Sequence, residues 1–422
     1  MELEQAARAD TVDLSSLEPA FSVDPFPTYD RLRASAPVAR VVNHGLPGWL
    51  VTRYEDVKRL LVDPRLSNDP RVANPAARAA APWFDSGAVG TTRHMLHADG
   101  ADHRRLRRLV SRAFTPARME AMRPRIEEVA NELVDAFLPR GRADLMEEFA
   151  MPLPGIVVMS LLGVPRADSR QLRGWLDTAV HDVDDPAATV AAFRSVRAYL
   201  ARLIARRQAE LAAGTTSDDL LGALVAVHDE DAGLTEAERR LSDDELLAMV
   251  FLLILGALET VTDLIGNGTV ALLRRPDQLA AMRGHPDLLD GAVEELLRFD
   301  GPMNIAILRF TTAEIEVGGA VIPGDGQVVF LGLAAGDHDP ARYADPGTLD
   351  VRRDTSGHLA FGHGAHACLG ATLGRMEARI AFRTLVGRCA DLAFGIDPAD
   401  LEWRAAPQIR GLKHLPVTFR PA

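Results

Sequence analysis

Apolar positions along most of this chain recur every three or four residues, the period that turns one face of a helix towards a core. The spacing predicts a helix after Asp24-Pro25-Phe26-Pro27, with Tyr29 and Leu32 inward, and further helices over about 104–113, 119–137 and 191–211. Ser242-Asp243-Asp244-Glu245 reads as a capping box opening a long helix to about residue 273. Two later helices are predicted over about 288–299 and 371–386. Strand signals are few. Gly48 to Thr52 reads as a strand, and between Arg309 and Leu331 the pattern shortens to Ile315/Val317 and Val328/Phe330, with turns at Gly318-Gly319 and Pro323–Gly326. Residues 72–90, rich in Ala, Pro and Gly around Trp83 and Phe84, read as a mobile loop or lid. With no internal repeat and no low-complexity linker, the expectation is one mainly α domain over 1–422 with a small β region.

Composition narrows the class. Hydrophobic residues at 47% and charged residues at 25% suit a soluble globular enzyme. Aromatics at 5% and a net charge of −12 exclude nucleic acid as the principal partner. Two cysteines, Cys368 and Cys389, make neither a disulfide framework nor a four-cysteine zinc site. The opening MELEQAARAD lacks the features of a secretory signal. The longest apolar run, Ala248 to Leu258, is far shorter than the roughly 20 residues of a membrane span. A cytoplasmic protein is expected, without membrane attachment.

The most informative stretch is Phe361-Gly362-His363-Gly364-Ala365-His366-Ala367-Cys368-Leu369-Gly370. Its glycines let the backbone bend tightly and approach a flat object. Cys368 stands just before a helix, where free amides and the dipole favour a thiolate, as nucleophile or metal ligand. A buried small hydrophobe is the ordinary alternative. Zinc lacks ligands here, with only His363 and His366 close by, and a nucleophile lacks an identifiable base. The ten residues resemble, at every defining position, the haem-binding loop of the cytochromes P450. That resemblance implies the cytochrome P450 fold, with haem b buried between a long central helix and the cysteine loop. It makes Cys368 the proximal iron ligand, with Phe361, Gly362 and Gly370 shaping its loop.

Four other places extend the resemblance over nearly the whole chain. His103 and Arg107, four apart on one helix face, match propionate contacts, as do Arg309 and His366. Glu295 and Arg298 match the family's structural Glu-x-x-Arg pair. Glu259 and Thr260 interrupt an apolar helix and resemble the oxygen-activating acid–alcohol pair, Glu259 relaying protons through water. Here the chain departs from the family: Ala257 stands at a glycine position and Val261 replaces a second alcohol. Helix distortion is expected at this point.

Arg104, Arg108 and Arg112 form a stripe rotated about 100° from the His103/Arg107 face, and Arg375, Arg379 and Arg383 a second stripe after Cys368. Together they suggest a docking face for an acidic ferredoxin. The resemblance nominates Trp83, Leu252, Leu255, Gly256, Met303, Asn304, Ile305 and Ile307 as substrate contacts for a lipophilic molecule. It is closest to actinobacterial members that tailor macrolides and polyketides. The implied protein is a monomeric haem-thiolate monooxygenase fed from NAD(P)H through ferredoxin reductase and ferredoxin. Its rivals are an enzyme for terpenes, fatty acids or aromatics, a peroxygenase, and a haem-based sensor.

Overall fold

The structure, a computed structural model, describes residues 11–81, 94–181, 185–229, 233–235, 238–406 and 408–422. The chain divides into two compact units, Met1–Asp85 with Ala130–Met151 and Thr260–Ala422, and Ser86–Val129 with Pro152–Glu259.

The first unit holds the sheets. Val38–Asn43 and Leu46–Val51 form a hairpin whose two turn residues, His44 and Gly45, both have positive φ (47° and 80°), as a tight turn matched to strand twist requires. Leu46–Val51 continues in parallel onto Val328–Leu331, and Arg309–Thr311 and Leu66–Ser67 complete that side of a six-stranded sheet. Alternation along the strands sends Leu50 and Phe330 into a core with Tyr29 and Leu32. The intervening Trp49, Val51, Val329 and Leu331 pack against Tyr54, Val57 and Leu60 in another core. Gly48 is required there, because a Cβ would lie 2.6 Å from Phe330. A second sheet joins Cys389–Phe394, Pro416–Pro421 and Arg142–Asp144.

Helix Asp243–Leu273 is long and apolar enough by length and composition to cross a bilayer. Its buried polar residues instead find partners inside the protein: Asp263 pairs with Arg404, and Asn267 donates to the carbonyls of Asp300 and Arg410. The helix runs unbroken past Glu259 and Thr260, so the expected distortion does not interrupt it. Helix Ala371–Arg388 packs closely on its second half. A Cβ on Gly268 would meet Phe382 at 2.6 Å, and one on Gly374 would touch Val261 at 3.8 Å. Val261 therefore turns its methyls to the helix that follows the cysteine, an apolar environment for the residue that replaces the family's alcohol.

Helix Ala371–Arg388 also buries Glu377, whose Oε2 has no hydrogen-bond partner. Burial pushes this carboxyl from 4.5 up to about 8. The folded chain thus holds one proton more than the unfolded chain between those values, so this group's stabilising contribution falls as pH rises through that window. Glu377→Gln should flatten the decline of Tm between pH 5 and 8 and melt above the parent at the alkaline end. Parallel Tm profiles would show the carboxyl to be ionised and solvated.

The second unit is helical: Gly100–Ala113, Pro116–Ala121, Pro152–Leu161, Arg166–His181, Pro186–Ala212, Leu220–Ala226 and the first half of Asp243–Leu273. The capping box forms reciprocally, Ser242 N–H donating to Glu245 at 2.9 Å and Glu245 N–H to Ser242 Oγ at 3.3 Å.

Several expectations are corrected. The predicted loop at 72–90 contains helix Pro75–Ala80, capped by Asn74, which accepts from Ala77 N–H at 2.9 Å. Trp83, Phe84 and the rest of the proposed lid lie outside the described residues. The single helix expected at 119–137 is two, Pro116–Ala121 and Arg123–Phe137, divided just before Pro124, which only the first turn of a helix accommodates. Helices Pro152–Leu161, Arg166–His181 and Pro276–Gly284 were not expected.

Candidate active site around the cysteine loop

The loop bends at Gly362 and Gly364, both left-handed with φ of 70° and 78°, and a Cβ at Gly364 would overlap Val62. Beyond a short turn, Gly364–His366, the Cys368 N–H donates to the Phe361 carbonyl at 2.8 Å and closes the loop on itself. Helix Ala371–Arg388 starts three residues later and turns its N-terminal amides towards this end. Cys368 is exposed and Cys389 buried. A Cβ at Gly370 would stand 3.9 Å from Cys368 Sγ, so glycine keeps the approach to the sulfur open.

This donor set fits haem. One soft sulfur on a glycine-bent loop would supply a single bond to iron. It does not enclose zinc: among the described residues the group of three ligating side chains within reach of one another is Asp144, Glu147 and His414, without Cys368. In the same unit Arg309 is buried on strand Arg309–Thr311 and His366 lies half-buried on the loop. In the other unit His103 is buried and Arg107 half-buried, one turn apart on helix Gly100–Ala113. Within its own unit each is a cation of the kind that holds a propionate.

The long helix changes character along its length. From Val261 to Leu273 every residue is buried, whereas Leu252, Leu255, Glu259 and Thr260 are half-buried and Gly256 is exposed, with nothing within 4 Å of an added Cβ. Apolar side chains left accessible on a core helix mark a surface built to be covered by something other than the chain's own core. On the segment after Pro302, Met303 and Ile307 are half-buried. Ile305 is only 1% exposed, inside the core that holds Leu50 and Phe310, so packing rather than a ligand accounts for it. Asn304 is buried, and its Oδ1 has no hydrogen-bond partner.

Glu295 and Arg298 form a buried bidentate pair at 2.7 and 2.9 Å. Arg298 also donates to the carbonyls of Asp337 (3.0 Å) and Pro346 (2.9 Å), while Glu295 accepts from Asp350 N–H (3.0 Å) and Arg353 (3.2 Å). Helix Leu289–Asp300 is thereby tied to the chain leading to the cysteine loop. Asp350 and Arg353 carry no local sequence signal, because only folding brings them to Glu295.

The arginine stripes are not a bare cationic face. Arg108 and Arg112 both pair with the buried Asp229. Arg375 pairs with Glu294 at 2.7 Å and Arg379 with Asp290 at 2.9 Å. Arg104 is exposed. Four of the six nominated charges are thus balanced within their own units, which lowers the positive potential expected there.

A family model, Cytochrome P450, matches residues 33–151 and 280–390. Cytochrome P450 monooxygenase PikC of Streptomyces venezuelae is 46% identical over 412 residues, covering 97% of this chain and 94% of that protein. The 6-deoxyerythronolide B hydroxylase of Saccharopolyspora erythraea is 40% identical over 403 residues, covering 94% and 96%. The tirandamycin C-bound structure of the P450 monooxygenase TamI matches with a TM-score of 0.83 at 41% identity, covering 97% of this chain and all of that one. The chain belongs to the cytochromes P450. It is a haem b monooxygenase closely related to hydroxylases that tailor macrolides and polyketides.

Proposed function

We propose that this monooxygenase hydroxylates or epoxidises a macrolide or other polyketide, one atom of O2 entering a C–H or C=C bond and the other leaving as water. Electrons come from NAD(P)H through ferredoxin reductase and ferredoxin, and the chain works as one cytoplasmic, monomeric domain over 1–422. The observation that carries the substrate reading is Asn304, a buried amide whose Oδ1 has no partner on a largely apolar segment. A buried acceptor of this kind is costly unless something donates to it, and a polyketide hydroxyl does so while the rest of the molecule covers apolar side chains. Met303 and Ile307 beside Asn304 supply that apolar contact, and Leu252, Leu255 and Gly256 are proposed as further substrate contacts on the accessible face of the long helix.

Haem, when bound, supplies oxygen activation. Cys368 would be its thiolate ligand, and His103, Arg107, Arg309 and His366 are the cations that would neutralise propionates. The Thr260 hydroxyl donates one hydrogen bond and accepts others, so it orients a water or the reacting oxygen. Glu259, beside it on the same helix, takes a proton from solvent and passes it on through water. Thr260→Ala should leave NAD(P)H consumption running while product formed per NAD(P)H falls about tenfold or more. Unchanged coupling would assign proton delivery to another group.

Optical titration of the ferric protein tests the substrate class, using 6-deoxyerythronolide B, tirandamycin C, a monoterpene and myristic acid. A saturable low-to-high-spin shift with the first two alone is expected. A shift confined to the terpene or fatty acid replaces the substrate class and keeps the enzyme. Product formed from peroxide alone at comparable rates would replace the ferredoxin-dependent reading by a peroxygenase.

A further inference from the structure

One carboxylate reaches both sides of the cysteine loop. Glu294, on helix Leu289–Asp300, accepts from His358 Nε2 at 3.0 Å, ten residues before Cys368. It also accepts from Arg375 at 2.7 and 2.8 Å, seven residues after the cysteine. The histidine's state is set by its other nitrogen. The Ala360 N–H donates to His358 Nδ1 at 3.2 Å, so Nδ1 carries no hydrogen and Nε2–H must donate to the carboxylate. Both partners then bear on one ring. The Arg375 guanidinium lies 4.3 Å over the Phe361 ring, and the His358 ring sits 6.0 Å from it on a tilted contact. Phe361 is the residue whose carbonyl accepts the Cys368 N–H.

We propose that Glu294 is a positioning residue for the cysteine ligand, stapling the chain before and after Cys368 and fixing Phe361 between its two partners. Burial pushes the Glu294 carboxyl up, but the bonds from His358 and Arg375 outweigh it and hold it at about 2, so the staple stays charged at any working pH. A charged acceptor with two donors makes charge-assisted bonds, roughly twice as strong as neutral ones. Without it the two flanking segments lose their common anchor, and before the cysteine the Leu359 N–H bond to Asp337 Oδ1 at 2.7 Å remains. Groups that orient a metal ligand typically change metal retention by 10- to 100-fold when removed. The arrangement also gives Arg375 a role inside the fold, beside the docking role that its place in the arginine stripe suggested.

The inference rests on Cys368 as the ligand, which the thiolate-type ferrous carbonyl spectrum of the unaltered protein checks separately. The test uses holoprotein of Glu294→Ala and Glu294→Gln and follows two readouts. These are the rate of haem transfer to excess apomyoglobin and the fraction of ferrous carbonyl complex holding its red-shifted thiolate band. Glu294→Ala should transfer haem about tenfold faster and lose much of the thiolate band. Glu294→Gln, which keeps an acceptor but no charge, should fall between it and the parent. Arg388→Ala breaks the pair with Asp135 at 2.5 Å at the far end of the same helix and controls for general destabilisation. Parent-like transfer and spectrum in both Glu294 variants would overturn the proposal. So would equal acceleration in an Arg388→Ala protein of matched Tm. If the alanine variant does not assemble, the glutamine variant alone decides by the same two readouts.

Discussion

Cys368→Ala should abolish the thiolate-type spectrum of the reduced carbonyl complex and with it monooxygenase turnover, because no other thiol takes the position. Cys389 is the remaining cysteine, buried in strand Cys389–Phe394, where burial pushes its thiol up to about 11 and leaves it protonated and inert. Cys389→Ser therefore leaves spectrum and turnover intact. The loop itself survives the alanine change, since its closing bond runs from the residue 368 backbone N–H to the Phe361 carbonyl. Circular dichroism should stay parent-like while the haem signature disappears. A thiolate band surviving Cys368→Ala would overturn the ligand assignment.

Arg298→Ala should be the most destabilising single change away from the loop. Both side chains of the Glu295–Arg298 pair are 0% exposed, and losing the guanidinium leaves the Glu295 carboxylate buried with only Arg353 and the Asp350 amide for compensation. Stranding one partner of a buried ion pair costs about 3–5 kcal/mol. Arg298 also holds the carbonyls of Asp337 and Pro346, so the approach to the cysteine loop loosens together with the helix. Lysine does not rescue, because a single ammonium cannot reproduce a fork bonded on both branches. Urea unfolding of Arg298→Ala and Arg298→Lys checks both statements, and a loss below 1 kcal/mol would mean that solvent reaches the pair. Arg123→Ala, breaking the surface pair with Glu120, should change stability little.

Much of the fold was legible because its signals are local. The reciprocal bonds of Ser242 and Glu245 need only four residues in sequence, and the short apolar run Val328 to Leu331, buried on both faces, needs only the strand itself. Helix Pro152–Leu161 was not legible: it is buried on most sides, so it lacks a polar face to set a period, and Pro152, Pro154 and Gly155 read as breakers although a first turn accepts proline. Strand Val38–Asn43 was hidden likewise, its pairing resting on a turn where His44 takes a conformation unusual for a side-chain-bearing residue.

The site divides along the same line. Sequence by itself pointed to the cysteine loop, whose glycines and cysteine stand in one short run, and, through the family resemblance, to the Glu-x-x-Arg pair and the proposed acid–alcohol pair. Only the tertiary structure decided what surrounds them. It paired Arg108 and Arg112 with Asp229, moved Ile305 into the core, left Asn304 a buried acceptor without a donor, and brought His358 and Arg375 onto Glu294. Charge balance and burial depend on neighbours tens to hundreds of residues away, and no local spacing encodes them.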